Sequence, residues 1–532
     1  MSSIDSIGRR PLGGIGSAIR PGLDRRIAIG CFGGAALIGL IFAFVGLDLH
    51  SFWFDELFTA RLLEPLAGTT LMSRIATDVH PPVYLVALSL FSQVFSDDDL
   101  ALRAFSAVAA CGAIAVFVAT TRTAFSLPAR LFGAALATGS LFWFFQAQNV
   151  RSYALCLVLS AGILAIGLRL LHDGQRRSPP LLAALFGLML LGSFSHFYMM
   201  YVALGVLGMI VLLQRQDRAA MVAAATVLLV AVGLYVKFVI EPYARVSLAN
   251  NWYPSHPGWY LAVLQSCLRY TFHPMALAAL GLCGAAILAM RRRAESLWPD
   301  RVTLFLLGVP LTVVAGGIAS SVLMAPSFFD RNVLVVSPFL WALAARAYDA
   351  AVEKASPAIR LALNGSLGVI ALSMTGIVAS RLPSGEAPAF YEPYRQSAHW
   401  IQTLSACRGQ TLPVVTVDSP DWYKPGYAAF IYEAGYGRYL QGFATPQLVF
   451  ASDLTAGRLP ADLAGELRRR LDGQGCPVLA WSAHNMNRAF IAAIEERLLG
   501  ALGRPDAAGL VAVKPFTDGS SGYVLYLRGQ GS

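Results

Sequence analysis

The feature that most constrains this chain is a succession of apolar segments, each long enough to cross a bilayer. A spanning helix needs about 20 predominantly apolar residues. Eleven segments meet that standard: 27–47, 100–120, 129–147, 152–171, 179–195, 197–213, 219–240, 274–290, 302–324, 331–349 and 361–380. The 532 residues are 56% hydrophobic and 14% charged, where a soluble domain runs nearer about 25% charged. The fold class is therefore a mainly α, polytopic membrane protein with about eleven transmembrane helices, followed by a more polar tail.

A formal net charge of +10 could point to nucleic acid. Here the basic residues sit in short clusters between apolar segments, as in cytoplasmic loops, so no nucleic-acid partner is expected. The clusters are Arg122/Arg130, Arg169/Arg176/Arg177, Arg215/Arg218, Arg291–Arg293 and Arg346/Lys354/Arg360. The tail 1–26 carries five arginines against two aspartates. The run after it is too long for a signal-peptide core, so it reads as an uncleaved first span with a cytoplasmic N-terminus.

These clusters can all be cytoplasmic only if Asp97, Asp98 and Asp99 lie on the other side. The segment 80–96 then cannot cross. It opens with two prolines and is short, which suits an interfacial or re-entrant helix. Residues 48–99 become one long outer loop with eight acids against Arg61 and Arg74. The connection 241–273, rich in Trp, Tyr, Pro and Asn, reads either as an aromatic belt or as a lid that touches substrate.

Beyond residue 380 the pattern changes. LPVVTVD (412–418), CPVLAWS (476–482) and YVLYLRG (523–529) read as strands; 461–471 and 487–499 read as helices. Residues 381–532 form an α/β domain of ordinary size. With an odd number of spans it lies outside the cytoplasm, and there Cys407 and Cys476 could pair. The division is thus 1–26 cytoplasmic tail, 27–380 membrane domain and 381–532 extracytoplasmic α/β domain.

The chemistry concentrates in 51–82, SFWFDELFTARLLEPLAGTTLMSRIATDVHPP. Asp55 and Glu56 are flanked by Phe52, Trp53, Phe54, Leu57 and Phe58. A carboxylate in apolar surroundings has a raised proton affinity and suits general-base work; a solvated loop charge is the plain alternative. Asp78 and His80 precede Pro81-Pro82, where Asp78 either caps the interfacial helix or joins His80 in binding acceptor, metal or phosphate. An Asp-x-His pair alone is a weak metal signal, so no metal is assigned, though a divalent ion stays open. His196, at an outer turn, is a lesser candidate.

The pattern W-x-D-E-x-x-T, then D-x-H-P-P-x-Y, then an arginine after the acidic turn, resembles the GT-C superfamily of membrane glycosyltransferases. The nearer branches are the protein O-mannosyltransferases and lipid A aminoarabinose transferases. The matching residues are Trp53, Asp55, Glu56, Thr59, Asp78, His80, Pro81, Pro82, Tyr84 and Arg103, with Gln148, Arg151 and Tyr153, and with Arg331 and Pro338. Asn332 departs from the pattern, since relatives often carry Tyr there. The resemblance covers 27 to about 350.

The resemblance implies an inverting hexosyl- or pentosyltransferase that takes a monosaccharide from a polyprenyl-phosphate donor. The acceptor would be extracytoplasmic: lipid A or its core, another glycan, or a protein hydroxyl. It also implies a bacterial inner membrane and interfacial helices in the first outer loop. Asp55 would be the base, with Glu56 and Asp78 as catalytic partners. His80, Tyr84, Arg103, Arg151, Tyr153, Lys237 and Arg331 are the expected substrate-binding residues. Arginine suits the departing lipid phosphate because its fork matches phosphate geometry. Arg245, Arg269 and Glu241 also lie near outer span ends. The rival reading is a transporter or lipid-linked sugar flippase. Against it, polar residues gather at the outer rim, not at the mid-membrane positions typical of transporters.

Overall fold

A computed structural model of the protein describes residues 22–65, 67–172, 179–214, 218–242, 254–271, 273–290, 300–353, 355–382, 394–416, 427–450, 461–471, 474–481, 511–514 and 524–527. The expected helix at 487–499, Arg245 and the stretch 243–253 of the aromatic connection lie outside the described residues.

Seven described helices are long and apolar enough to cross a membrane: Leu23–Phe42, Asp99–Thr123, Tyr153–Leu171, Arg218–Ile240, Arg301–Leu323, Asp330–Glu353 and Pro357–Arg381. An eighth span results if Pro257–Thr271 and Pro274–Leu288, bent by 81°, count as one. All eleven expected segments are helical, but not all are single spans. The segment 129–147 divides into Leu127–Thr138 and Leu141–Ala147, because Ser140 caps the second helix by accepting from the Trp143 amide. Pro179–Ser193 and Tyr198–Leu213 are shorter apolar helices, and 274–290 is one arm of the bent pair.

Local chemistry sets the starts of several helices. Asp98 accepts from the Ala101 amide at 2.7 Å, Asp300 from Thr303 at 2.7 Å, and Ser356 from Ile359 ahead of Pro357. Each cap satisfies one amide that the helix leaves unpaired. Helix packing uses small residues for close approach. A Cβ on Gly133 would stand 2.7 Å from the Trp341 carbonyl oxygen, and one on Gly39 would stand 2.5 Å from the Thr138 Cβ. The bundle so formed has large apolar side chains on its outside, such as Leu311, Leu323 and Leu229, as a lipid-facing surface requires.

The loop 48–99 contains three helices, Phe54–Leu63, Leu71–Ile75 and Val83–Val94. The last is the short helix expected over 80–96. At 12 residues it spans about 18 Å, too little for the roughly 30 Å hydrocarbon core. The Val83 amide donates to the Phe194 carbonyl at 2.8 Å, which fastens its start to the turn after Pro179–Ser193.

The C-terminal region is α/β. Strands β1 (Thr411–Thr416), β2 (Thr445–Phe450), β3 (Val478–Trp481), β4 (Val511–Lys514) and β5 (Val524–Leu527) form one sheet in the order β2-β1-β3-β5-β4. The β2-β1-β3 half is parallel; β5 is antiparallel to β3 and β4. Cys407 and Cys476 form a disulfide. Helices Tyr394–Gln402 and Tyr427–Leu440 face the 48–99 loop. Tyr394, Ala398, Tyr436 and Tyr439 share one apolar core with Phe52, Leu57, Phe58 and Leu62.

Candidate active site

The site is built on the N-terminus of helix Phe54–Leu63. Asp55 and Glu56 both fall in its first turn, where the helix dipole favours negative charge. Side by side in sequence, they point to different places.

Glu56 is enclosed. Its Oε1 accepts from Arg103 Nε at 3.0 Å and from the Val150 amide at 2.9 Å; its Oε2 accepts from Arg103 Nη2 at 2.6 Å and from the Trp53 amide at 3.3 Å. Arg103 spends its remaining donors on the carbonyls of Leu47, His50 and Ser51. Glu56 and Arg103 thus tie the start of the 48–99 loop to helix Asp99–Thr120, and both are buried. A buried carboxylate with four donors can serve as a structural clamp.

Asp55 is partly open, its side chain 22% exposed. Its Oδ2 lies 3.5 Å from Arg331 Nη1 and 3.9 Å from Arg151 Nε. The expected apolar surroundings are therefore not what the carboxylate meets, because residues far along the chain bring two guanidiniums to it. Arg151 is held by further contacts. Its Nη1 donates to Thr59 Oγ1 at 3.2 Å, and that hydroxyl donates to the Asp55 carbonyl at 2.9 Å. Its Nη2 lies 3.1 Å from His80 Nε2, and His80 Nδ1 lies 2.9 Å from Asp78 Oδ1. Arginine can only donate, so His80 accepts on Nε2 and carries its proton on Nδ1, which it gives to Asp78. The order Asp78–His80–Arg151–Asp55 is a continuous polar chain.

Asp78 does not cap the following helix, whose start has no side-chain cap. Burial pushes its carboxyl up, but His80 and Arg151 more than offset that and hold it below the usual carboxylate range. Asp78, His80, Tyr84 and Arg151 line a small pocket with Thr59, Pro81, Leu85, Ser152 and Ser195. Among the described residues no group of three His, Cys, Asp or Glu side chains is placed to hold a metal ion.

Arg331 lies over two aromatic faces, with Cζ 5.7 Å from the Trp53 ring centre and 5.1 Å from that of Phe329. Phe329 stacks on Trp259 of helix Pro257–Thr271 at 6.0 Å. Tyr153 donates to Asn332 Oδ1 at 3.1 Å, and Asn332 donates to the Ser327 carbonyl at 2.8 Å. The departure at position 332 thus fits the polar wall behind Arg331. His196 sits in that wall, with Nδ1 accepting from the Tyr198 amide at 3.2 Å. Burial first, then His80, Arg151 and Arg331, push its imidazole well below its ordinary range.

The structure therefore gathers Asp55, Arg151, Arg331, His80, Asp78, Tyr84 and Tyr153 in one region. Lys237 is exposed on the π turn Val236–Ile240 and pairs with Glu241 at 2.8 Å. Arg269 is exposed on helix Pro257–Thr271. Sequence reasoning missed Asn149, which accepts from the Trp53 indole at 3.3 Å, and Ser152, Ser195 and Trp259. Asn149 and Ser152 stand between Gln148, Arg151 and Tyr153, and Trp259 lies in the connection read as a belt or lid, but only the fold gives each its contact.

A protein-family model described as dolichyl-phosphate-mannose-protein mannosyltransferase matches residues 79–240. Among curated protein sequences none matches this chain. Among solved structures, apo ArnT from Cupriavidus metallidurans superposes with a TM-score of 0.54 at 14% identity, covering 94% of this chain and 98% of that one. The same ArnT bound to undecaprenyl phosphate gives 0.53 at 14%, over the same shares. The chain has the GT-C fold of ArnT, with the polar cluster around Asp55 at the junction of the helical bundle and the C-terminal sheet domain.

Proposed function

We propose that this protein is an inverting glycosyltransferase that moves one monosaccharide from a polyprenyl-phosphate donor to a hydroxyl acceptor on the outer face of the membrane. The observation that carries this reading is the Asp55 carboxylate, partly open and within 4 Å of both Arg151 and Arg331. Likeness to a protein that binds undecaprenyl phosphate supports the donor class.

The arrangement suits the chemistry atom by atom. Asp55 takes the acceptor's hydroxyl proton as its oxygen attacks the anomeric carbon. The bond from that carbon to the phosphate oxygen breaks, and its electron pair leaves with the lipid phosphate. Arg331 and Arg151 meet the growing negative charge. Phosphate is already a good leaving group, so no second carboxyl is needed as general acid. His80, fixed by Asp78, orients Arg151. Glu56 and Arg103 hold the helix that presents Asp55.

The disulfide supports the orientation. Disulfides persist outside the reducing cytoplasm. The domain that carries Cys407–Cys476 packs directly on the loop that carries Asp55, so the two share a side. We assign the site and the C-terminal domain to the extracytoplasmic face of a bacterial inner membrane.

The deciding experiment is mass spectrometry of envelope glycolipids and glycoproteins from cells with and without the gene. One sugar missing from one acceptor, with accumulation of its lipid-linked donor, is the expected result. Identical profiles, together with a purified protein that transfers no sugar from any lipid-linked donor, would sink the assignment. The same profile names sugar and acceptor.

A further inference from the structure

We infer that Arg438 and Tyr439, on a helix of the C-terminal domain, are positioning residues for Asp55. The inference rests on the reading of Asp55 as the reacting carboxylate, and it extends the working site across the domain junction.

Phe52 stands three residues before Asp55, is fully buried, and is gripped from both domains. Its ring lies between two guanidiniums, Arg103 Cζ at 5.0 Å and Arg438 Cζ at 5.1 Å from its centre. Its backbone amide donates to the Tyr439 hydroxyl at 2.9 Å, and that hydroxyl donates to Asp99 Oδ2 at 2.6 Å. One phenol therefore bridges the catalytic loop to the first turn of the membrane helix Asp99–Thr120. Burial, with Asp99 beside it, raises the phenol far above its usual range, so it keeps the proton that this bridge uses.

Arg438 reaches further. Its Nε donates to Asp99 Oδ1 at 3.0 Å, and its Nη1 lies 3.8 Å from Glu64 Oε1. Glu64 is the residue that ends helix Phe54–Leu63. Arg438 thus touches a residue before the start and the residue after the end of the helix on which Asp55 stands. The same surface is tight between these points, since a Cβ on Gly435 would be 2.9 Å from Leu57 Cδ1. Arg395 adds a longer pair to Asp99 at 3.7 Å, and Gln396 donates to the Leu49 carbonyl at 3.2 Å.

The chemical consequence is directional. The reacting carboxylate must be held to a fraction of an ångström, and a 1 Å displacement can cost about a hundredfold in rate. The lipid phosphate is met by Arg331 and Arg151, which are also held from outside 52–58, by the Phe329 ring and by His80. Loosening the junction should therefore lower the rate of the chemical step more than it weakens donor capture.

The test uses the full-length protein in lipid nanodiscs, with Arg438→Ala, Arg438→Lys and Tyr439→Phe. Hydrogen exchange over 52–58 and steady-state kinetics with a lipid-linked sugar donor are both read. We expect exchange over that segment to accelerate about tenfold or more in Arg438→Ala. We expect kcat to fall about 10- to 100-fold, with donor KM changed by less than about twofold. Tyr439→Phe, which removes only the hydroxyl, should show the same split in smaller measure. Arg438→Lys should recover part of both readouts, because it keeps the charge toward Asp99 and Glu64. Unchanged exchange over 52–58 in both Arg438→Ala and Tyr439→Phe overturns the proposal, as does a kcat loss matched by an equal loss of folded protein. If the wild type moves no sugar, the functional reading fails, and the exchange measurement still decides the proposal.

Discussion

Arg103 holds Glu56 in a two-pronged buried pair, Nε to Oε1 at 3.0 Å and Nη2 to Oε2 at 2.6 Å, and that clamp leaves the neighbouring Asp55 as the carboxylate that faces the polar cleft. Two adjacent acids thus take separate work. One fixes the helix start, and the other stands beside Arg331 and Arg151.

That separation predicts opposite phenotypes for two similar substitutions. Asp55→Asn should keep expression and thermal stability while lowering sugar transfer by about 10²- to 10⁴-fold, the range for a positioned acid–base group. Glu56→Gln should instead cost about 3 to 5 kcal/mol of stability, since removing one charge of a buried pair strands the other. Thermal melts beside transfer rates separate the two. An unstable Asp55→Asn with normal activity per folded molecule would refute the assignment.

Arg331→Ala should weaken use of the lipid donor more than use of the acceptor. Loss of one charge-assisted contact to phosphate is worth about 1.5 to 3 kcal/mol, or roughly 10- to 150-fold in apparent donor affinity. Donor titration at saturating acceptor reads this directly, and an unchanged donor affinity would remove Arg331 from the phosphate site.

Acid should destabilise the fold as buried histidines are forced to charge. Burial, together with Arg103 and Arg395, lowers His50 from 6.5 to about 4, and His196 is pushed well below its ordinary value. Both are neutral when folded and charge more readily when unfolded. Their contribution is complete above pH 6.5 and is lost as the pH falls from there through their folded values. His50 is only partly buried, so solvent screening reduces its share. The melting temperature should therefore drop between pH 6.5 and about 4, and His196→Gln should flatten that slope. Asp78, held below the usual range, adds a further loss only below pH 3.8. A melting temperature constant across that window would contradict this account.

The Cys407–Cys476 bond closes a loop across 69 positions, worth about 4.4 kcal/mol in chain entropy. Reduction, or paired Cys→Ser changes at both positions, should make the C-terminal domain easier to cleave by protease while the membrane helices stay intact. Because that domain presses on helix Phe54–Leu63, transfer should fall with it. Unaltered protease resistance would show the bond to be dispensable.

A cysteine in place of Asp97, whose residue is exposed, should react with a membrane-impermeant maleimide in intact spheroplasts. Labelling only after permeabilisation would reverse the orientation proposed for the loop and the C-terminal domain.

Much of the architecture could be read from the chain itself. The helices at 27–47, 100–120 and 361–380, the short helix after Pro81-Pro82, and the strands at 412–418 and 476–482 were all legible. Apolar transfer and capping act over neighbouring residues, so a local window carries the signal. The split at 139–140 was harder to see, because the apolar composition runs straight through it and only Ser140 marks the new helix start. Nearness to a span end likewise says nothing about which face a side chain takes, as at Lys237, whose side chain pairs with Glu241.

By itself, then, the sequence determined that this chain is a membrane helical bundle with an acidic loop and an α/β tail, and it singled out Asp55 by motif. Tertiary structure alone decided that Asp55 meets Arg151 and Arg331, that Glu56 is locked by Arg103, and that Arg438 and Tyr439 reach the same loop from nearly 400 positions away. The physical reason is that hydrophobic transfer sums along contiguous residues, whereas an ion pair depends on distance and burial, which only the packed chain sets.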